Sequence, residues 1–229
     1  MQINTHTSHP SAFISSTFLD LELERKAVEN ALRKSNLNIN AIDVRPASNE
    51  SSINEILEGI KESDFVILIV GERYGSIIPE MTGSEFLSIT KWEYEQAVKK
   101  YGKDVLVYFK KVESNDPLYY DDQKSGLFEE KKEHLRNFKI SLSKNHKPNY
   151  FSTPEELAEE VSRAIIPIYR AGVKSLKKEN TKLKLENNKL KSLGIDSNNS
   201  VQQGLPGVFE QSNNMALYKQ QGYKKSVNS

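Results

Sequence analysis

Residues Phe65-Val-Ile-Leu-Ile-Val70 place six large apolar side chains in a row with no polar interruption. Successive side chains of a strand point to opposite faces, so a strand with one wet face alternates apolar and polar residues. A run without alternation needs cover on both faces, which is the condition of a central strand in a parallel sheet. It is far too short to cross a bilayer, where about 20 residues are needed. A chain carrying it is therefore expected to wrap helices around both sides of a sheet.

The flanking segments supply those parts. Ala12-Phe-Ile-Ser15 reads as a short buried strand, followed by a helix with Leu19, Leu23, Ala27, Ala31 and Leu32 on one face. Asn40-Ala-Ile-Asp-Val44 reads as a second strand, closed by Pro46. Ser52-Ile-Asn-Glu55 is a capping box that opens a helix burying Ile53, Ile56, Leu57 and Ile60. After the apolar strand, a loop with Gly71, Gly75, Pro79 and Gly83 leads to a helix from about Trp92 to Tyr101, ended by Gly102. Val105–Phe109 forms a fourth strand, a helix covers about Leu127–Leu142, and Tyr150-Phe151 is extended. Thr153-Pro-Glu-Glu156 then combines an N-cap, a first-turn proline and a capping glutamate. Strands alternating with helices predict an α/β doubly wound parallel sheet of four to five strands.

Composition changes after that point. Hydrophobic residues make up 37% of the 229-residue chain, so part of it contributes nothing to a core. The expected organisation is a flexible start at 1–10, the α/β domain at 11–170, a coiled coil at 171–193 and a disordered tail at 194–229. Leu176, Leu183 and Leu190 repeat at seven residues, with Val173, Asn180 and Asn187 three positions before each. Leucine at d with asparagine at a predicts self-association as a parallel dimer or higher oligomer. Pro167 and Gly172 are expected to kink or break the helix that joins this segment to the domain.

Most chemistries are excluded by what the chain lacks. It has no cysteine, hence no disulfide framework and no thiolate site. With 32 basic against 31 acidic side chains it offers no global field for nucleic acid or an anionic membrane, and neither is expected as a partner. No signal segment opens the sequence, and a cytoplasmic protein is expected. His6, His9, His134 and His146 lack metal-ligand spacing, and no metal is expected. Neither a Walker loop nor a Gly-x-Gly-x-x-Gly turn follows a strand.

What remains is positional. In open parallel sheets, ligands bind beyond the carboxyl ends of the strands. Those ends supply Ser15, Ser16 and Thr17 after the first strand, Arg45 after the second, and Gly71, Arg73, Tyr74 and Gly75 after the third. Hydroxyls, backbone N–H groups and guanidinium groups together suit an anionic, nucleotide-sized ligand. Ser16 and Thr17 would equally well cap the first helix. Ser88 or Thr90 can cap the helix after the Gly-rich loop, and Glu93 is expected in its first turn, either as a dipole or capping residue or facing the cleft. Trp92 and Tyr94 would wall a ring-binding pocket or belong to the core.

Four ordered motifs resemble one family. They are Phe13-Ile-Ser-Ser-Thr-Phe-Leu-Asp20 with Glu24-Arg25, Val70-Gly-Glu-Arg-Tyr-Gly-Ser76, Ser88-x-Thr-x-x-Glu-Tyr-x-x-Ala97, and Lys103-Asp-Val-Leu-Val107. Leu135-Arg-Asn-Phe-Lys139 and Phe151–Leu157 extend the likeness, which covers roughly residues 11–168. The family is the TIR-like domain of unknown function found in bacterial conflict proteins and at the front of NACHT and WD-repeat proteins. It is similar to TIR domains and nucleoside deoxyribosyltransferases, which share a flavodoxin-like arrangement. In those enzymes a glutamate on the helix after the third-strand loop acts at the ribose of an N-glycosidic bond.

The resemblance implies that Glu93 is catalytic, with Thr90 three residues before it. It implies NAD+ as substrate, with no further cofactor, and an effector of anti-phage or conflict defence activated by self-assembly, alone or with other defence proteins. The chain departs from the family at Lys91, where an acidic residue is common, and at Asp104, where proline is common. Two alternatives stand beside this one: a non-catalytic nucleotide-signal-binding or protein-interaction module assembled by its coiled coil, and a nucleoside or nucleotide transferase.

Overall fold

A computed structural model of the chain describes residues 9–40, 52–111 and 126–192. Two compact units part between Lys178 and Glu179. The first holds a five-stranded sheet in the order β2-β1-β3-β4-β5, with all neighbouring pairs parallel. Its strands are β1 (Ser11–Ser16), β2 (Asn38–Asn40), β3 (Phe65–Val70), β4 (Asp104–Lys110) and β5 (Asn149–Phe151). This strand order is the flavodoxin-like form of the doubly wound sheet, whose switch point lies between β1 and β3.

The apolar run is β3, and all six of its side chains are buried. They divide by parity. Phe65, Ile67 and Ile69 enter one core with Ala12, Ile14 and Tyr108; Val66, Leu68 and Val70 enter the other with Phe13, Val105, Val107 and Phe109. Each such burial contributes about 1.5–3 kcal/mol, so this strand alone anchors both layers.

Helix α1 (Glu22–Lys34) and the first part of α6 (Pro154–Ser192) cover one face through Leu21, Val28, Leu32, Leu157, Val161 and Ile165. The other face packs against α2 (Ser52–Glu62), α4 (Ile89–Glu95) and α5 (Phe128–Asn145) through Ile56, Ile60, Trp92, Tyr94, Leu135, Phe138 and Leu142. A four-residue helix, α3 (Pro79–Thr82), lies within the long loop after β3. Helix α4 continues into a π-helical turn, Gln96–Lys100, before Gly102 at φ +59° reverses the chain.

Several boundaries differ from expectation for identifiable reasons. The buried face of α1 does not carry Leu19 and Leu23, which are 69% and 68% exposed. It carries Leu21, Val28 and Leu32 together with the charged residues Glu24 and Arg25. Glu24 is paired with Lys110 of β4 at 2.9 Å, and this distant partner is what makes a charged buried face tolerable. Strand β2 starts two residues earlier than the predicted Asn40, pairing Asn38 and Ile39 with Ser11 and Ala12; Ala41–Val44 lie outside the described residues.

Helix α6 is not broken at Pro167 or Gly172. Proline removes one backbone hydrogen bond, but Ile168 and Tyr169 pack against the core just beyond it. Tyr169 also donates to Asp64 at 2.8 Å. The cap at Thr153 forms as expected: its hydroxyl accepts from the Glu156 N–H at 3.2 Å, and the Glu156 carboxylate accepts from the Ser152 N–H at 2.7 Å.

Of the second unit, residues 179–192 are described, all of them helical. The expected flexible start and disordered tail fall almost wholly outside the described residues. No helix among the described residues is long and apolar enough to cross a membrane.

Candidate functional site

Strands β1 and β3 end side by side, Ser16 pairing with Ile69. Beyond them, an antiparallel bridge between Ile77 and Ser88 and a hydrogen bond from the Ile89 N–H to the Ser76 carbonyl fold the long loop back. This closure sets the first turns of α4 against the end of β1. Gly75 makes the closest approach. At φ +93°, its missing Cβ would lie 3.0 Å from the Thr17 methyl and 3.6 Å from the Thr90 hydroxyl.

The result is a cleft of about 290 Å³ lined by Ser16, Thr17, Arg25, Arg73, Gly75, Thr90 and Glu93, with apolar walls from Phe13, Ile14, Phe18, Leu19 and Ile89. Glu93 is only 6% exposed. Its Oε2 accepts a 2.5 Å hydrogen bond from the Ser15 hydroxyl of β1.

Its place on α4 separates Glu93 from the capping box. Ser88 is the N-cap and accepts from the Lys91 N–H, so Lys91 stands where a capping-box glutamate would be. Glu93 lies two residues further on, past the reach of that box, and accepts from the Ser15 hydroxyl of a neighbouring strand.

Around this carboxylate, two charged side chains bond to hydroxyls at the end of β1. The Arg25 Nη1 donates to the Ser16 hydroxyl at 2.9 Å. The Thr17 hydroxyl donates to Asp20 at 2.5 Å. Burial pushes the Asp20 carboxyl above the usual carboxylate range, against the pull of Thr17, Arg73 and Lys110. The other Asp20 oxygen sits where a Cβ on Gly71 would lie, 2.5 Å away, which explains a glycine at that point.

Of the residues anticipated from sequence, Ser16, Thr17, Arg73, Gly75, Thr90 and Glu93 line one cleft, and Ser15 backs it. Gly71 instead leaves the room that the Asp20 carboxylate occupies. Trp92 and Tyr74 are core residues, and Tyr94 joins them there. Tyr74 donates to the Phe86 carbonyl at 2.8 Å and stacks on His134. Arg45 lies outside the described residues.

Arg25, Phe18 and Leu19 line the cleft without having been anticipated as site residues. The signal for Arg25 was present in Glu24-Arg25, two adjacent charges at helix positions that share a face with Leu21, Val28 and Leu32. A larger cavity of about 420 Å³ lies between Tyr74 and α5, but there Glu72 and Lys139 pair with each other. Among the described residues no group of three or more His, Asp or Glu is placed to hold a metal ion.

No curated protein matches this chain. Among solved structures it is similar to the TIR domains in the "Structure of the activated Roq1 resistosome directly recognizing the pathogen effector XopQ", at 16% identity over 67% of this chain and 84% of that one, with a TM-score of 0.33. Residues 11–166 match the family described as "Domain of unknown function (DUF4062)", nearly the stretch over which the motifs resemble such a domain. The match spans more than half of the sequence, and the chain belongs to that family.

Proposed function

We propose that the domain hydrolyses the N-glycosidic bond of NAD+ or a related nucleotide, with Glu93 as the catalytic carboxylate. The observation that carries this reading is a buried glutamate bordering a cleft at the switch point, held by a hydroxyl of the opposite strand. Most buried carboxylates are tied to a cation or to backbone amides within the fold. This one also borders open volume.

The chemistry needs little more. The bond from ribose C1′ to the pyridinium nitrogen breaks with its electron pair going to nitrogen, and nicotinamide leaves neutral, so no general acid is required. Positive charge builds on C1′ and the ring oxygen, as in glycoside hydrolysis. A fixed carboxylate beside the ribose stabilises that charge, and water then adds to C1′ and releases a proton. The cleft volume is at the lower end of the range for ligand pockets, which suits the nicotinamide-ribose half, while Arg73 and Arg25 at its wall offer guanidinium groups to the pyrophosphate. The resemblance of the motifs to TIR-like domains points to the same reaction by analogy.

The test is nicotinamide release from NAD+ by purified protein at high concentration. Glu93→Gln keeps the shape and the Ser15 contact but removes the charge. It is expected to lower the rate about 10²–10³-fold, the usual cost of losing one preorganised electrostatic group, with melting nearly unchanged. Glu95→Gln, whose carboxylate pairs with Lys99 on the helix exterior, is expected to leave the rate as it was. Equal loss in both variants, or no release at any concentration while labelled NAD+ still binds, would replace hydrolysis by a nucleotide-binding role.

A further inference from the structure

We infer that residues 173–190 of α6 form a parallel two-stranded coiled coil with a second copy of this chain, whose direction is set by charge. Val173, Leu176, Leu183 and Leu190 are all exposed, with Leu183 at 57%. Their spacing assigns Val173, Asn180 and Asn187 to a and the three leucines to d. That places Lys177, Lys184 and Lys191 at e, and Glu179 and Glu186 at g.

In a parallel pair, each g residue faces the e residue five positions later on the partner. Glu179 then meets a lysine at position 184, and Glu186 meets one at 191, in both directions across the two-fold axis. In an antiparallel pair, g faces g and e faces e, so glutamate would meet glutamate and lysine would meet lysine. The same segment is therefore complementary to itself in one direction only.

The asparagines agree. A lone Asn at a costs stability but is satisfied by its own copy across a parallel two-fold axis, which fixes register. Two such layers, at Asn180 and Asn187, are both paired only in the in-register alignment, since a slip by one heptad keeps one Asn pair and sets the other asparagine against Val173. Glu186 approaches Lys182 of its own helix at 3.9 Å, an exposed pair that contributes little and leaves its carboxylate able to reach across. The occupant is a second copy because the recognition pattern, acid at g and base at e, is contained in this one sequence.

The experiment uses the full chain. Sedimentation at tens of micromolar is expected to give twice the chain mass, and Leu183→Glu with Leu190→Glu is expected to give the single mass while the thermal melt of the sheet domain persists. Glu179→Lys with Glu186→Lys is expected to weaken self-association at least tenfold. Mixing that chain with one carrying Lys184→Glu and Lys191→Glu is expected to restore a 1:1 dimer.

Direction is read separately. The chain has no cysteine, so Asn187→Cys introduces one thiol per copy. A parallel a layer brings the two Cα atoms within disulfide range, and oxidation is expected to cross-link the dimer. The antiparallel register that overlaps all three leucines pairs each a with a d of the partner and holds the two 187 positions about 16 Å apart along the axis at 1.5 Å rise per residue. A monomeric wild type, an unchanged mass in the leucine variant, or a dimer that Asn187→Cys fails to cross-link would each overturn the inference.

Discussion

The two ends of the sheet each bury a carboxylate, and they use it differently. At the amino ends of the strands, Asp64 is 1% exposed and its Oδ2 accepts from the Ser11 N–H at 2.9 Å and the Tyr169 hydroxyl at 2.8 Å. Nearby, Lys103 donates to the Lys61 and Ser63 carbonyls, and Asn40 donates to the Ser63 hydroxyl. Burial and the adjacent Asp64 charge push the Tyr169 hydroxyl well above the usual phenol range, so it remains a donor. The contacts named there join β1, β2, α2, α6 and the turns before β3 and β4. At the carboxyl ends, Glu93 accepts from the Ser15 hydroxyl and lines a cleft that Arg25 and Arg73 also line. A carboxylate that ties elements together reports on stability; one that borders a cleft is, under the function proposed above, placed to meet a ligand.

That contrast can be broken most sharply by a pair of substitutions. Asp64→Ala orphans the buried Ser11 N–H, at about 1–3 kcal/mol, and removes the acceptor of the half-buried Tyr169 hydroxyl. It is expected to lower the denaturation midpoint strongly while nicotinamide release per folded molecule stays close to normal. Glu93→Gln is expected to do the reverse, and unfolding curves measured beside the rates separate the two. If Asp64→Ala abolished activity in fully folded protein, the two ends would not be distinct in role.

A smaller effect is expected where backbone geometry shapes the cleft. Gly75→Ala forces a side chain onto φ +93° and presses its Cβ against Thr17. The conformational cost is about 1–2 kcal/mol. Thermal melting should fall by a few degrees, and KM should rise more than kcat falls, because Thr17 and Thr90 are displaced while Glu93 stays bonded to Ser15. Unchanged KM would show that ligand does not touch this wall.

The smallest effect concerns the neighbour of Glu93 on the other side of α4. Tyr94 shares a 2.9 Å hydrogen bond with His146 at the end of α5, and burial lowers the His146 pKa against the pull of Asp104. The unfolded chain then binds that proton more readily. Stability is fully present above about pH 6.5, the ordinary histidine value, and declines as pH falls through it and towards the depressed folded value. His146→Gln should flatten the slope of the denaturation midpoint over that window, and an unaltered slope would remove His146 from the account.

Local features that satisfy themselves within a few residues were legible in the chain. Ser88 caps α4, Thr153-Pro154 opens α6, and Gly102 ends the turn after α4, because a hydroxyl, a ring or a missing Cβ acts on its own backbone. The apolar run of β3 was legible for the same reason: six side chains with no wet face allow one environment. The positions of Ser16, Thr17, Arg73, Gly75, Thr90 and Glu93 around one cleft followed from strand order, since loops at the carboxyl ends of neighbouring strands must converge. Periodicity alone did not phase α1. Leucines at 19 and 23 and leucines at 21 and 32 offer competing stripes, and only the partner decides between them.

The sequence by itself thus determined the layered α/β architecture and the end of the sheet at which a cleft opens, with Glu93 in its lining. Tertiary structure decided that Tyr74 and Trp92 serve the core, that Arg25 reaches the cleft, and that Glu24 can be buried at all. The reason is physical. An apolar side chain is driven inward by water wherever it lies in the chain, whereas a charged one is buried only against a partner, and Lys110, Ser16 and Ser15 become partners only once distant strands have paired.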